Sequence, residues 1–171
     1  MKSTKFLLAA AGLALAATSH AQILTEGFDD VTTLPGAGWV LNNVSSPVGE
    51  TGWFQGDNTS AMTAHSGAEN SYIAANFLNT SEQGGVIDNW LISPELALGG
   101  IGATLEFFTR TADPGFSDVL EVRFSSGSST DLASFTTLLL TIGDATTPYP
   151  DSDWAAFEVL LPSVASGRFA F

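Results

Sequence analysis

After Ala21 no stretch of the chain sustains an apolar i, i+3, i+4, i+7 stripe, so no segment offers the one-sided face that a surface helix needs. Short alternating or apolar runs recur instead between clusters of Gly, Asn, Asp, Ser and Pro, which predicts an all-β fold. Strands are expected at residues 23–28, 38–41, 52–55, 71–76, 86–93, 103–110, 119–125, 136–142, 154–161 and 167–171. In the run 119–125, Leu120, Val122 and Phe124 share one face while Glu121 and Arg123 share the other, the pattern of a half-buried antiparallel strand. In 154–161 Phe157, Val159 and Leu161 point inward and Glu158 outward, and Arg168 alternates with Phe169 and Phe171. Many short strands at this spacing imply a β-sandwich or jelly roll. The connections, such as Leu34-Pro35-Gly36 and Asp113-Pro114-Gly115, carry turn chemistry and are too short to separate domains, so residues 22–171 read as one domain. The chain stops at Phe171 inside an alternating run, so its C-terminal strand is expected to be truncated, with an apolar edge left unpaired.

Residues 1–21 read as a secretory signal peptide. Lys2 and Lys5 precede an apolar run over 6–17, and Ser19 and Ala21 suit cleavage after Ala21. That run falls short of the about 20 residues a membrane-spanning helix requires. The mature chain is therefore expected to be secreted, extracellular or at a cell surface, with no membrane insertion. The whole chain carries Lys+Arg 5 against Asp+Glu 18, a formal net charge of -13, and cleavage leaves only Arg110, Arg123 and Arg168 as fixed cations. Such an acidic surface repels nucleic acid and attracts cations, which makes calcium the expected cofactor. The absence of cysteine excludes disulfides, thiolate zinc sites, cysteine nucleophiles and iron–sulfur clusters.

Catalytic residue types are scarce. The mature chain has no lysine and one histidine, His65, whose neighbour Ser66 sits in no Gly-x-Ser-x-Gly elbow, so His65 reads as a polar loop residue. Glu106 and Glu121 project outward from strands that the 113–115 connection would make neighbours. They supply the alternative reading, a secreted glycosidase or hydrolase accessory domain with a carboxylate pair, against the plainer reading of two solvated acids. Hard oxygen ligands for calcium gather near expected strand ends at Glu26, Asp29, Asp30, Asp57, Asn58, Glu69, Asn70 and Asp88. No Asp-x-Asp-x-Asp-Gly loop is present, so any site must collect ligands from separate loops. Of the tryptophans, Trp39, Trp90 and Trp154 are expected in the core. Trp53 and Phe54, beside Asp57 and Asn58, are the expected exposed pair and the candidate ligand-binding group, stacking on a sugar ring while the polar side chains hydrogen-bond. Three Asn-x-Ser/Thr triplets, at Asn43, Asn58 and Asn79, match the N-glycosylation acceptor, which matters only in a eukaryotic secretory host.

The ordered set Glu26-Gly27-Phe28-Asp29, Gly38-Trp39, Gly52-Trp53-Phe54, Ser71-Tyr72-Ile73-Ala74-Ala75-Asn76 and Asp88-Asn89-Trp90-Leu91-Ile92-Ser93-Pro94 resembles the choice-of-anchor J domains. These are related to the cleaved adhesin domains of gingipain-type proteins and, more distantly, to MAM domains. The resemblance continues through Leu105-Glu106-Phe107-Phe108, Leu120-Glu121-Val122-Arg123 and Gly167-Arg168-Phe169-Ala170-Phe171, and so covers nearly the whole mature chain. It implies a secreted jelly-roll β-sandwich of two antiparallel sheets, commonly calcium-supported. It also implies a role in bacterial adhesion to polysaccharide, matrix or surface protein rather than in catalysis, in a family often carrying a PEP-CTERM-type sorting tail. Carried over residue by residue, it assigns Glu26 as a metal ligand through the Glu-x-Phe element and Asp57 as a second. The chain departs from the family in lacking an Ile-Asp-containing closing strand and an anchor tail.

Overall fold

A computed structural model describes residues 22–59, 62–113, 115 and 118–171, and the expected signal peptide lies outside them. Ten strands follow in order among the described residues: β1 (Val40–Asn43), β2 (Phe54–Gln55), β3 (Ile73–Ala74), β4 (Asn89–Ile92), β5 (Leu96–Ala97), β6 (Ala103–Thr109), β7 (Leu120–Ser126), β8 (Thr137–Ile142), β9 (Ala155–Leu161) and β10 (Ser166–Ala170). Short 3-10 helices stand at Val31–Ala37, Phe77–Asn79 and Leu132–Ser134. The main sheet runs β1-β4-β10-β7-β8, with β5 also paired to β10, while β6–β9 and β2–β3 form two smaller sheets. All of these pairings are antiparallel, as expected of an all-β sandwich.

Alternation explains the layering. Val122 and Phe124 of β7 are buried, whereas Arg123 and Glu121 lie on the other face and pair at 2.6 Å. Val159 and Leu161 of β9 are buried and Glu158 is exposed. Trp39, Leu91, Phe124 and Phe169 line the inner face of the main sheet. Leu105 and Leu161 from the β6–β9 sheet, and Trp53 and Ile73 from the β2–β3 sheet, close over them. Trp39 sits edge-on to Phe28 and Phe169, with ring centroids 5.8 Å and 5.9 Å away. A smaller cluster of Ile92, Phe135 and Ala170, with Trp90 against it, packs the segment around the third 3-10 helix onto the sheet.

Three expectations change. Residues 23–28 form no strand: the backbone turns at Phe28, whose φ is 55°, and the Phe28 carbonyl is taken by the Gln55 side chain at 2.8 Å instead of a neighbouring strand. Next, Asp30 caps the first 3-10 helix by accepting from the Thr32 amide at 3.0 Å, and Gly38 ends that helix at φ 89°. A left-handed Gly38 cannot open a strand, so β1 starts at Val40. Finally, β10 is no unpaired edge: Phe169 pairs with Phe124 of β7 on one side and Ala170 with Ile92 of β4 on the other. Beyond it, the Phe171 amide donates to the Leu91 carbonyl at 3.0 Å.

Tyr149 packs beside the end of β6 with its hydroxyl 3.2 Å from Thr109 Oγ1. Burial pushes its phenol above the usual tyrosine value, against the lowering effect of the Thr109 hydrogen bond and with a further push from Asp118. The neutral form is the one the fold favours, so its contribution is complete below the ordinary tyrosine pKa of about 10 and is lost as pH rises above it. Unfolding midpoints should therefore fall between about pH 9 and about pH 11, and Tyr149→Phe should flatten that fall. Equal pH dependence in the two proteins would refute the assignment.

Candidate functional site

The residues that organise one end of the sandwich come from the end of β2 and the turn after it. Gln55, opposite Ile73 in the two-stranded sheet, has a side chain that joins three segments. Its Oε1 accepts from the Val31 amide at 2.8 Å, and its Nε2 donates to the carbonyls of Phe28 at 2.8 Å, Asn70 at 2.6 Å and Tyr72 at 3.3 Å. The next residue, Gly56, is buried under Tyr72: a Cβ there would fall 2.3 Å from the ring. Only glycine lets the phenol lie flat on the backbone, and the Tyr72 hydroxyl then accepts from the Asp57 amide at 2.9 Å and lies 3.1 Å from the Asp57 carbonyl.

The loop beyond is held by polar side chains. Asp57 Oδ1 accepts from the Thr59 amide at 2.8 Å and its hydroxyl at 2.7 Å, an Asx turn. Asn58 donates through its backbone to Asn70 Oδ1 at 2.9 Å and through its side chain to Glu69 Oε2. The Ser71 hydroxyl donates to Asp29 Oδ1, joining the loop to the segment before the first 3-10 helix. Its far side rests on the smaller sheet. The Trp154 indole donates to the Thr63 carbonyl at 2.9 Å and meets Tyr72 edge-on at 5.8 Å, while His65 stacks on Phe108 of β6 at 3.7 Å and 15°. The result is a face with amides and carboxylates beside a row of aromatic rings.

This face keeps part of the expected site and moves the rest. Asp57 and Asn58 lie on it. Trp53 does not: it is half-buried against the main core, its Nε1 enclosed with no hydrogen-bond partner among the described residues. Phe54 is half-buried in β2 opposite Ala74. The expected exposed Trp53–Phe54 pair is thus corrected, because β2 and β3 form a lid whose residues complete the core. The aromatic row comes from His65, Phe108 and Trp154, which strand alternation alone does not bring together. The only sequence sign of it is the Phe107-Phe108 doublet, which must put one ring on each face of β6.

Glu26 caps its own loop, accepting from the Phe28 amide at 2.8 Å. The donor chemistry at this end, Glu26, Asp29, Asp57, Glu69 and the amide oxygens, is the hard-oxygen type that suits calcium. Among the described residues no three His, Cys, Asp or Glu side chains converge, so a bound cation would draw on backbone carbonyls and water as well as these acids. The carboxylate pair of the alternative reading is separated. Glu106 lies in the β6–β9 sheet opposite Glu158, and Glu121 in the main sheet against Arg123. Chain order made them neighbours, whereas the crossover between sheets does not. Among the described residues no helix is long and apolar enough to cross a membrane.

No protein-family model and no curated protein matches the chain. Solved structures do. The K2 cleaved adhesin domain of Lys-gingipain aligns with a TM-score of 0.58 at 21% identity, covering 86% of this chain and 87% of that one. The K3 cleaved adhesin domain of Lys-gingipain from Porphyromonas gingivalis aligns at 0.55 and 21%, covering 88% and 86%. The K1 domain from the same organism aligns at 0.51 and 19%, covering 77% and 78%. At these identities the likeness is one of fold, and it agrees with the all-β sandwich built above.

Proposed function

We propose that this chain is a secreted, non-catalytic adhesion or matrix-associated module of a bacterial surface, of the choice-of-anchor J and cleaved-adhesin kind, which takes a polysaccharide or protein ligand on the face built around Gln55 and Tyr72. The observation that carries the reading is the loop after Gly56, fastened by Tyr72, Asn70 and Trp154 so that its polar groups stand beside the His65–Phe108 stack. A face already ordered before binding loses little entropy when a ligand arrives, and aromatic rings beside amides suit a hydroxyl-rich ligand. The fold likeness to cleaved adhesin domains supports the same reading. Binding to a panel of surface polysaccharides and matrix proteins tests it. Asn58→Ala and Phe108→Ala should each weaken binding about tenfold, about 1.4 kcal/mol. Absence of binding across the panel by folded protein would overturn it.

Calcium belongs to this proposal as a stabiliser of the same end, held by Glu26 and Asp57 with backbone oxygens and water completing its shell. The unfolding temperature should rise when chelator is replaced by calcium, since a ligand that binds only the folded state stabilises it, and Glu26→Gln should remove most of the rise. Identical unfolding in both buffers would exclude the metal.

A further inference from the structure

At the opposite end of β2 and β3 the chain presents a second surface that nothing in the first explains. Residues 44–51 run on from β1 and residues 86–88 lead into β4. They pair through Val44 N to Asp88 O at 2.9 Å and through reciprocal Ser46–Val86 bonds at 2.9 Å and 3.0 Å. The 3-10 turn Phe77–Asn79 is fastened to them by Gly49 N to Asn79 O at 2.8 Å and Thr51 N to Leu78 O at 3.2 Å. Underneath, the side chains of Asn43 and buried Ser45 satisfy the backbone: Asn43 Nδ2 donates to the carbonyls of Thr51 at 2.6 Å and Asn79 at 2.8 Å, and the Asp88 amide donates to Ser45 Oγ at 3.0 Å. Polar groups thus point inward and apolar ones outward. Phe77 is 74% exposed, Val86 65% and Val48 58%, with Val44, Leu78 and Ile87 exposed around them.

None of these six belongs to either core cluster. Val44 lies two residues before Ser46, which is bridged to Val86, while beyond the Ser46-Pro47 bend Val48 is bridged to Thr80 next to the Phe77–Asn79 turn. Scattered exposed apolar residues are ordinary, but six on three segments fastened together are the mark of an interaction surface. Its rim is of one sign. Glu50, Glu82 and Asp88 are exposed within these segments, and residues 44–51 and 76–88 contain no Lys, Arg or His.

We propose that this loop end is a docking surface for a partner protein segment with an apolar centre flanked by lysine or arginine. Charge decides the occupant. A second copy would set like acidic rims against each other, and anionic lipid headgroups would be repelled by the same acids, whereas basic flanks meet Glu50, Glu82 and Asp88 favourably.

An array of short peptides with apolar centres and basic, neutral or acidic flanks, probed with the purified chain, tests this. The chain should select basic-flanked peptides. Phe77→Ser combined with Val86→Ser should weaken that binding about tenfold or more with an unchanged unfolding temperature, since both side chains are exposed in the native state. Glu50→Gln combined with Glu82→Gln should weaken it at low salt and reduce its salt dependence. Asn58→Ala and Phe108→Ala, at the other end, should leave it unaltered, which separates this proposal from the one above. No preference for basic flanks, or equal binding by the Phe77/Val86 variant, would overturn it. So would loss, in that variant, of self-association or of binding to phosphatidylcholine/phosphatidylserine vesicles, either of which would give the surface a different occupant.

Discussion

Replacing Trp39 by alanine should cost the fold about 3–5 kcal/mol, the range for removing a fully enclosed large aromatic. The indole is 3% exposed, meets Phe28 and Phe169 edge-on, and shares one cluster with Leu91, Leu96 and Phe124, so the space it leaves is lined by closely packed core residues that do not readily fill it. Against a total of about 5–15 kcal/mol, that loss brings the domain close to unfolding at ambient temperature. Trp39→Phe separates packing from polarity. Its Nε1 is buried with no partner among the described residues, so phenylalanine loses volume without orphaning an acceptor and should cost distinctly less than alanine. Urea unfolding of the two variants decides the matter, and an alanine variant within about 1 kcal/mol of the parent would show that Trp39 is not the centre of the core.

The second large effect is expected at Gly167, where β10, the central strand of the main sheet, pairs with β7. A Cβ there would lie 2.1 Å from Phe124 Cζ and 2.8 Å from the Ser125 carbonyl oxygen. Phe124 is buried, so Gly167→Ala must either displace the ring or part β10 from β7, where Gly167 pairs with Ser126. Overpacking of this kind costs about 1–3 kcal/mol, and more where backbone is involved. Combining it with Phe124→Leu, which retracts the ring, should recover part of the loss. The two changes are in contact, so their effects should be non-additive by about 0.5–3 kcal/mol in a double-mutant cycle. Strict additivity would mean that the ring and the glycine do not constrain each other.

Strand alternation made β6, β7, β8, β9 and β10 legible almost to the residue, because each is long enough to show which face is apolar. It failed where the signal is shorter than its own period. β5 is two residues long and goes unseen between Pro94 and Gly99, and residues 23–28 alternate without finding a neighbour to pair with. The acids show a different limit. Glu106 was correctly read as outward, but which strand lies beside it is settled by a crossover that no local pattern records. The same holds for the candidate face. Turn composition marked Asp57 and Asn58, whereas Trp154 reaches Thr63 across 91 positions. The Trp53 reading failed because a tryptophan beside a polar loop looks the same in sequence whether its ring turns out to solvent or in under a two-stranded lid.

The place of β10 also makes one strand the seam of the whole main sheet. In the main sheet β1 and β4 stand on one side of it and β7 and β8 on the other, with no ladder joining the two halves directly. β10 therefore joins the two half-sheets by filling the hydrogen-bonding rim of each. Its pairing is an insertion between two rims rather than an addition at a margin, and it closes a loop reaching back from Ala170 to Ile92. Closure over that sequence separation costs more entropy than forming any one local hairpin, so the main sheet holds together through a pairing that local sequence cannot nucleate.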